Sequence, residues 1–265
     1  MNHSARILVL EEVRMKKVMI FAFMLLLPAA AQASPLDDCS AQIKYGAPSY
    51  GGVLLCRKGY VLSYNTAHKT ADWVAYHLTR EKMHGNIPRT NDFRPDPDLA
   101  SDQQAELADY SHSGYTRGQM APATSMRWSA RAMSESFLLT NVAPQKKGMN
   151  KGIWKFLEQK VRDWVNSRGE LYIVTGSIYK SRHPNSVGSD HVAVPDAFYK
   201  VVFDPVRVDA IAFIIPNRKE KSSDLPRFIT SVDKVEKETG LDFLSNLDDD
   251  VESLIEARVH PFWIR

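Results

Sequence analysis

Ser136-Phe137-Leu138-Leu139-Thr140-Asn141-Val142-Ala143-Pro144-Gln145, then Asn150-Lys151-Gly152-Ile153-Trp154 and Leu157-Glu158, set polar side chains against an apolar background. From Lys151 onward, Trp154, Leu157, Val161, Trp164 and Val165 fall at i, i+3, i+7, i+10 and i+11. That spacing predicts an amphipathic helix with one buried face. Asn150 stands at its mouth, as an N-cap or as a polar group of a site. Glu158 and Arg162 lie four apart on the same helix, as a surface ion pair worth a few tenths of a kcal/mol or as a functional face.

Working outward, Val53-Leu54-Leu55-Cys56 and Tyr60-Val61-Leu62-Ser63-Tyr64 flank Lys58-Gly59, a pattern that predicts a β-hairpin. Trp73 to Leu78 is aromatic and β-branched, a third strand. Residues 84 to 104 carry Pro88, Pro95 and Pro97 and form a loop. Tyr115 to Met120 is a short strand running into the turn at Ala121-Pro122. Leu171 to Thr175 is a buried strand ended by Gly176, and Phe198 to Phe203 and Ile211 to Ile215 are further strands. Ser231 to Thr239 is a helix with Gly240 at its C-cap, and a last helix covers about Asp249 to Ala257. Strands and helices intermix without regular βαβ alternation, so the fold class is α+β with a central, mostly antiparallel sheet.

With 265 residues, 44% hydrophobic and 25% charged, the composition is that of a globular protein with one sizeable core or at most two small ones. Internal repeats, low-complexity tracts and heptad arrays are absent from the sequence. The formal charge of +3 suits a polyanionic partner only weakly, and an ordinary solvated surface gives the same value.

Met15-Lys16-Lys17, the apolar run Val18 to Leu27, Pro28 and Ala31-Gln32-Ala33 have the layout of a secretory signal peptide. The run is shorter than the about 20 apolar residues of a membrane span. The expectation is cleavage after Ala33, a mature chain from Ser34 in the periplasm or secreted, and no membrane association after cleavage. Residues before Met15 look like an upstream extension. Cys39 and Cys56 are the two cysteines, and in an oxidising compartment they most simply pair. A loop of that size is worth about 3 kcal/mol by chain entropy.

Three blocks now stand in order: Thr116-Arg117-Gly118-Gln119-Met120-Ala121-Pro122, Thr140 to Gln145, and Asn150 to Trp154 with Leu157-Glu158. Lys69 to Tyr76 upstream and Val174 to Tyr179 downstream add to them. Together they resemble the signature of the Serratia-type DNA/RNA non-specific endonucleases, the family of mitochondrial endonuclease G. The resemblance runs from about Cys39 to Gly240, and it divides the chain into an N-terminal extension and signal peptide, 1–33, and an endonuclease domain, 34–265. It implies a ββα-metal nuclease fold on the central sheet.

It also implies roles. Asn150 corresponds to the direct Mg²⁺ ligand, with Mn²⁺ a possible substitute. One amide oxygen suffices, because Mg²⁺ keeps several waters and takes phosphate oxygens. Glu158 corresponds to the group that holds those waters. Asn141 supports the site beside the metal, and Arg162, a turn beyond Glu158, faces the phosphate. Arg89 corresponds to an arginine that neutralises the phosphate, with Arg94 a rival for that role. Arg117 belongs to the first block. Phosphodiester hydrolysis needs these types: metal and arginines stabilise charge on the phosphate oxygens and the leaving 3′ oxygen, and a base takes the water's proton. Phosphates look alike in DNA and RNA, so such a site lacks sequence specificity.

The family's first block reads Asp-Arg-Gly-His, whereas this chain has Thr116-Arg117-Gly118-Gln119. A neutral amide accepts no proton near pH 7 and an imidazole does. General-base catalysis is worth about 10²–10⁴-fold, so the substitution predicts reduced activity with fold and metal retained. Three accounts compete: a natural variant in which Gln119 orients water and another group or solvent takes the proton, a binder of nucleic acid without turnover, and an engineered inactive form. His112 is the nearest imidazole by sequence, but on a straight strand it points to the opposite face from Gln119. His183 and His191 lack metal-ligand spacing, and His68, His77 and His260 are isolated. The reading favoured is an exported Mg²⁺-dependent endonuclease acting on DNA and RNA. The alternatives are a catalytically impaired nucleic-acid-binding protein of the same fold and a disulfide-stabilised periplasmic adaptor. Monomer and homodimer are equally compatible with the sequence.

Overall fold

The computed structural model describes residues 36–259 and Trp263. The expected cleavage site after Ala33 and everything before it lie outside the described residues. Seven strands make one sheet in the order β1 (Val53–Cys56), β2 (Val61–Asn65), β3 (Thr70–Thr79), β6 (Glu170–Ile178), β9 (Ala197–Asp204), β10 (Asp209–Pro216) and β11 (Ile229–Thr230). Every neighbouring pair is antiparallel. A separate antiparallel ribbon joins β4 (Thr116–Gln119) to β5 (Val142–Gln145), and β7 (Ser186–Val187) pairs with β8 (Val192–Ala193). The helices are α1 (Arg80–Met83), α2 (Ala130–Glu135), α3 (Lys147–Met149), α4 (Lys155–Arg168), α5 (Val232–Thr239) and α6 (Asp249–Glu256).

The period of two along each strand sends side chains to two cores. Val74 and Tyr76 of β3 join Leu157, Val161 and Trp164 of α4 on one face. Trp73 and Ala75 join Val232 and Val235 of α5 and Ile255 of α6 on the other. The sheet is therefore the middle of three layers, which explains why β9, AFYKVVFD, is buried at all positions.

Most expected elements are present, with two corrections. The strand expected to stop at Gly176 continues to Ile178. Glycine is required there by close approach instead: a Cβ on Gly176 would stand 2.2 Å from the Asp72 carbonyl oxygen. The helix expected from Lys151 is α-helical only from Lys155, and Asn150–Trp154 forms a π-turn with non-helical backbone at Gly152. The stretch Val142–Gln145 is a strand despite Pro144, which its ribbon tolerates because β5 has a single partner. Gly240 adopts φ 72°, ψ 13° at the end of α5, the left-handed cap expected of it. Among the described residues no helix is long and apolar enough to cross a membrane.

Cys39 and Cys56 are joined in a disulfide, with Cα atoms 5.8 Å apart. Cys39 is fully buried and packs the N-terminal segment, with Leu36 and Ala47, onto the α5–α6 face of the sheet. Replacing both cysteines by serine is expected to lower the unfolding free energy by about 3 kcal/mol, read from equilibrium urea denaturation. An unchanged transition midpoint would show that the crosslink adds nothing to the packing.

Candidate active site

The β4–β5 ribbon and α4 enclose an open cavity of about 760 Å³. Its lining includes Arg89, Arg117, Gln119, Asn150, Glu158 and Arg162. Segments far apart in the chain thus deliver six of the predicted site residues to one concavity. Asn141, the seventh, is absent from the lining and fully buried. Its side-chain nitrogen donates to the carbonyls of Ala121 and Ser136, and its oxygen accepts from the Ala121 amide. Its hydrogen bonds shape the turn after β4.

Asn150 is no N-cap, since its backbone is helical. Its Nδ2 donates to Thr116 Oγ1 at 2.8 Å. Thr116 Oγ1 itself donates to the Gln145 carbonyl at 2.9 Å, so toward Asn150 it acts as acceptor. This relay fixes which end of the amide is bound and leaves Asn150 Oδ1 as the acceptor at the cavity. Thr116, which stands where the family has an aspartate, is thus the residue that orients Asn150. No spacing rule reveals it.

Gln119 is fixed by the same logic. Its Nε2 donates to the Ser136 carbonyl at 2.8 Å, the carbonyl that Asn141 also holds. Its Oε1 accepts from Arg89 at 3.3 Å. The amide therefore presents an acceptor toward the arginine, at the cavity, and its donor to the backbone. Arg89 lies over the Phe137 ring at 4.7 Å, and Arg117 over Phe93 at 4.4 Å. Aromatic faces thus brace both cations. The rival Arg94 is held instead by Asp92 and the Ser134 carbonyl and lines no part of the cavity.

Of the two readings open for Glu158 and Arg162, the surface ion pair is not formed. Arg162 donates to Thr124 at 3.0 Å and to Gln159 at 2.6 Å. Among the described residues Glu158 is the one carboxylate lining the cavity, against the cations of Arg89, Arg117, Lys151, Lys155 and Arg162. Beneath it lies Lys200, fully buried on β9. Phe198 and Val202 flank it on the α4 side of the sheet, so the pleat points Lys200 the same way. Its Nζ is 3.3 Å from the Tyr76 hydroxyl and 4.7 Å from the Trp154 ring. Burial pushes the Glu158 carboxyl above its ordinary range, opposed by the charges of Lys200, Arg162 and Arg89. Burial likewise pushes the Lys200 ammonium down. A lysine inside an otherwise apolar strand was the available signal for this group.

Among the described residues no histidine lines the cavity. His112 sits in an exposed turn with φ 53°, outside the lining, and not on a straight strand with Gln119.

The donor set is oxygen only, an amide and a carboxylate, without sulfur or imidazole. Such a set fits a hard cation such as Mg²⁺. Asn150 would hold the ion directly through Oδ1, and Glu158 would hold its waters. A concave, cationic surface with one hard-cation position suits a phosphate-bearing ligand.

A two-stranded ribbon leading into a helix, laid on a large antiparallel sheet, with these residues between ribbon and helix, defines a ββα nuclease. Residues 39–250 match the model of the DNA/RNA non-specific endonuclease family, and the chain belongs to that family. Mitochondrial endonuclease G of Homo sapiens is 33% identical over 218 residues, 77% of this chain and 73% of that protein. A nuclease of Nostoc sp. is 34% identical over 260 residues, 88% of this chain and 92% of its own length. The crystal structure of an EndoG/EndoGI complex contains a chain that superposes with a TM-score of 0.75 at 28% identity, covering 82% of this chain and 95% of that one.

Proposed function

We propose that this protein is a Mg²⁺-dependent endonuclease that hydrolyses phosphodiester bonds of DNA and RNA without sequence preference. The observation that carries the reading is the convergence of Asn150, Glu158, Gln119 and three arginines on one cavity. Arg89, Arg117 and Arg162 bind the phosphate by its charge, which DNA and RNA share. Gln119 Oε1 accepts a hydrogen bond from the attacking water and orients it at phosphorus, while Arg89 steadies the amide. Water oxygen forms the new bond to phosphorus and the bond to the 3′ oxygen breaks. A bound Mg²⁺ would stabilise charge on the phosphate and leaving oxygens. The water's proton goes to solvent, since the amide of Gln119 has no basic site, and turnover is correspondingly slow.

Export is part of the proposal. The run Met15 to Ala33 supports it by composition, and the Cys39–Cys56 disulfide supports it by chemistry, because such bonds persist in oxidising compartments. Plasmid DNA and RNA incubated with the mature protein are expected to be cut in Mg²⁺ and left intact with EDTA. Both substrates surviving in Mg²⁺ and in Mn²⁺, with the protein folded, would defeat the enzymatic reading. The absence of a base at position 119 favours a second reading, a binder without turnover. It predicts salt-sensitive retention of nucleic acid with no cleavage.

A further inference from the structure

On the opposite face of the sheet from α4, the residues Asp233 and Glu236 of α5 meet Glu256 at the end of α6. One carboxylate oxygen from each lies within 4.8 Å of the others. Exposed acidic groups gather on many surfaces, but Glu256 is not exposed. It retains 6% of its accessible surface, and its Oε1 is buried without a hydrogen-bond partner. A buried carboxylate left unpaired is strongly unfavourable. The charged groups acting on it are Glu236, Glu252, Asp233 and Asp242, all acidic. It also ends a helix, where the backbone dipole is negative.

We propose that Asp233, Glu236 and Glu256 bind one hard divalent cation, calcium in preference to magnesium, which ties α6 to α5. Two oxygens on opposite sides of a calcium ion, at about 2.3–2.6 Å each, stand about 4.6–5.2 Å apart. The three carboxylate oxygens, all within 4.8 Å of one another, lie inside the upper limit of that span. Magnesium is smaller and sheds water reluctantly, so a cage of protein carboxylates suits calcium better. Glu236 keeps an oxygen for the ion while the other accepts from the Phe243 amide at 2.8 Å. Burial and the surrounding carboxylates push the Glu256 carboxyl well above its ordinary range. None of these residues lines the nuclease cavity, and the proposal is independent of the nuclease reading.

The test is thermal unfolding of the full chain, first in EDTA and then with added Ca²⁺ or Mg²⁺. Calcium at a hundredfold over its Kd is expected to raise the midpoint by roughly 5–10 °C. The rise should disappear in Glu256→Gln and persist in Asn150→Ala, which removes the ligand of the other site. Asp233→Asn, an exposed change, should weaken the response and serves if Glu256→Gln does not fold. Three results overturn the proposal: no rise in the wild type, an equal rise in Asp233→Asn or Glu256→Gln, or loss of the rise in Asn150→Ala. A Glu256→Gln protein more stable than wild type in EDTA, with no calcium response in either, would assign a proton to the position instead.

Discussion

Gln119→His raises the rate of phosphodiester cleavage by about 10²–10⁴-fold, the value of a positioned general base. The site is already arranged to receive an imidazole. Gln119 Nε2 donates to the Ser136 carbonyl, and a histidine Nδ1–H makes the same bond. That bond fixes the tautomer and leaves Nε2 where Gln119 Oε1 now stands, facing the cavity. Arg89 beside it favours the neutral imidazole, the form that accepts a proton. The measurement is single-turnover cleavage of plasmid in Mg²⁺ across pH. The variant should gain a limb near the imidazole range, about 6.5, that the wild type lacks. A wild type that cuts as fast as the variant, with no added limb, would locate the base elsewhere.

This prediction also separates what sequence carries from what it does not. The family resemblance carried by the three blocks named Gln119, Asn150, Glu158 and Arg117, and by position Arg162 and Arg89, and all six line one cavity. The helix face Trp154–Val165 and the strand periods likewise placed the sheet and α4. The direction of the amides was not legible. It depends on Thr116 Oγ1 being committed to the Gln145 carbonyl and on Ser136 offering its carbonyl, contacts made across 29 and 17 residues. Asn141 carried the right motif, yet packing turns it inward, since burial is a tertiary property. Lys200 stood out as a lysine in an apolar strand, but its pairing with Glu158 was hidden, because a strand's period says which face a residue takes but not which helix covers it. The π-turn at Asn150–Trp154 broke the expected helix for a related reason. The apolar period continues through it, while the backbone shifts to bring Asn150 to Thr116.

Asn150→Ala is expected to abolish metal-dependent cleavage, by about 10³-fold or more. Loss of several kcal/mol of metal-derived stabilisation at the phosphate corresponds to that factor. Fold should be kept, because Asn150 is only partly buried and removing its side chain leaves Thr116 Oγ1 bonded to the Gln145 carbonyl. The relay gives a graded companion. Thr116→Val removes the acceptor that orients Asn150 and leaves Oδ1 itself in place. It should weaken the apparent Mg²⁺ affinity by about 10–100-fold, as loss of an orienting partner does. High Mg²⁺ then restores the Thr116→Val rate and does not restore that of Asn150→Ala. Cleavage measured against Mg²⁺ concentration distinguishes the two, with circular dichroism as the check on folding. If Asn150→Ala cuts at the wild-type rate at every Mg²⁺ concentration, the cation is held by other groups and Glu158 becomes the residue to replace. If Thr116→Val behaves as Asn150→Ala does, the threonine is more than an orienting partner, and its substitution for the family's aspartate bears on the metal directly.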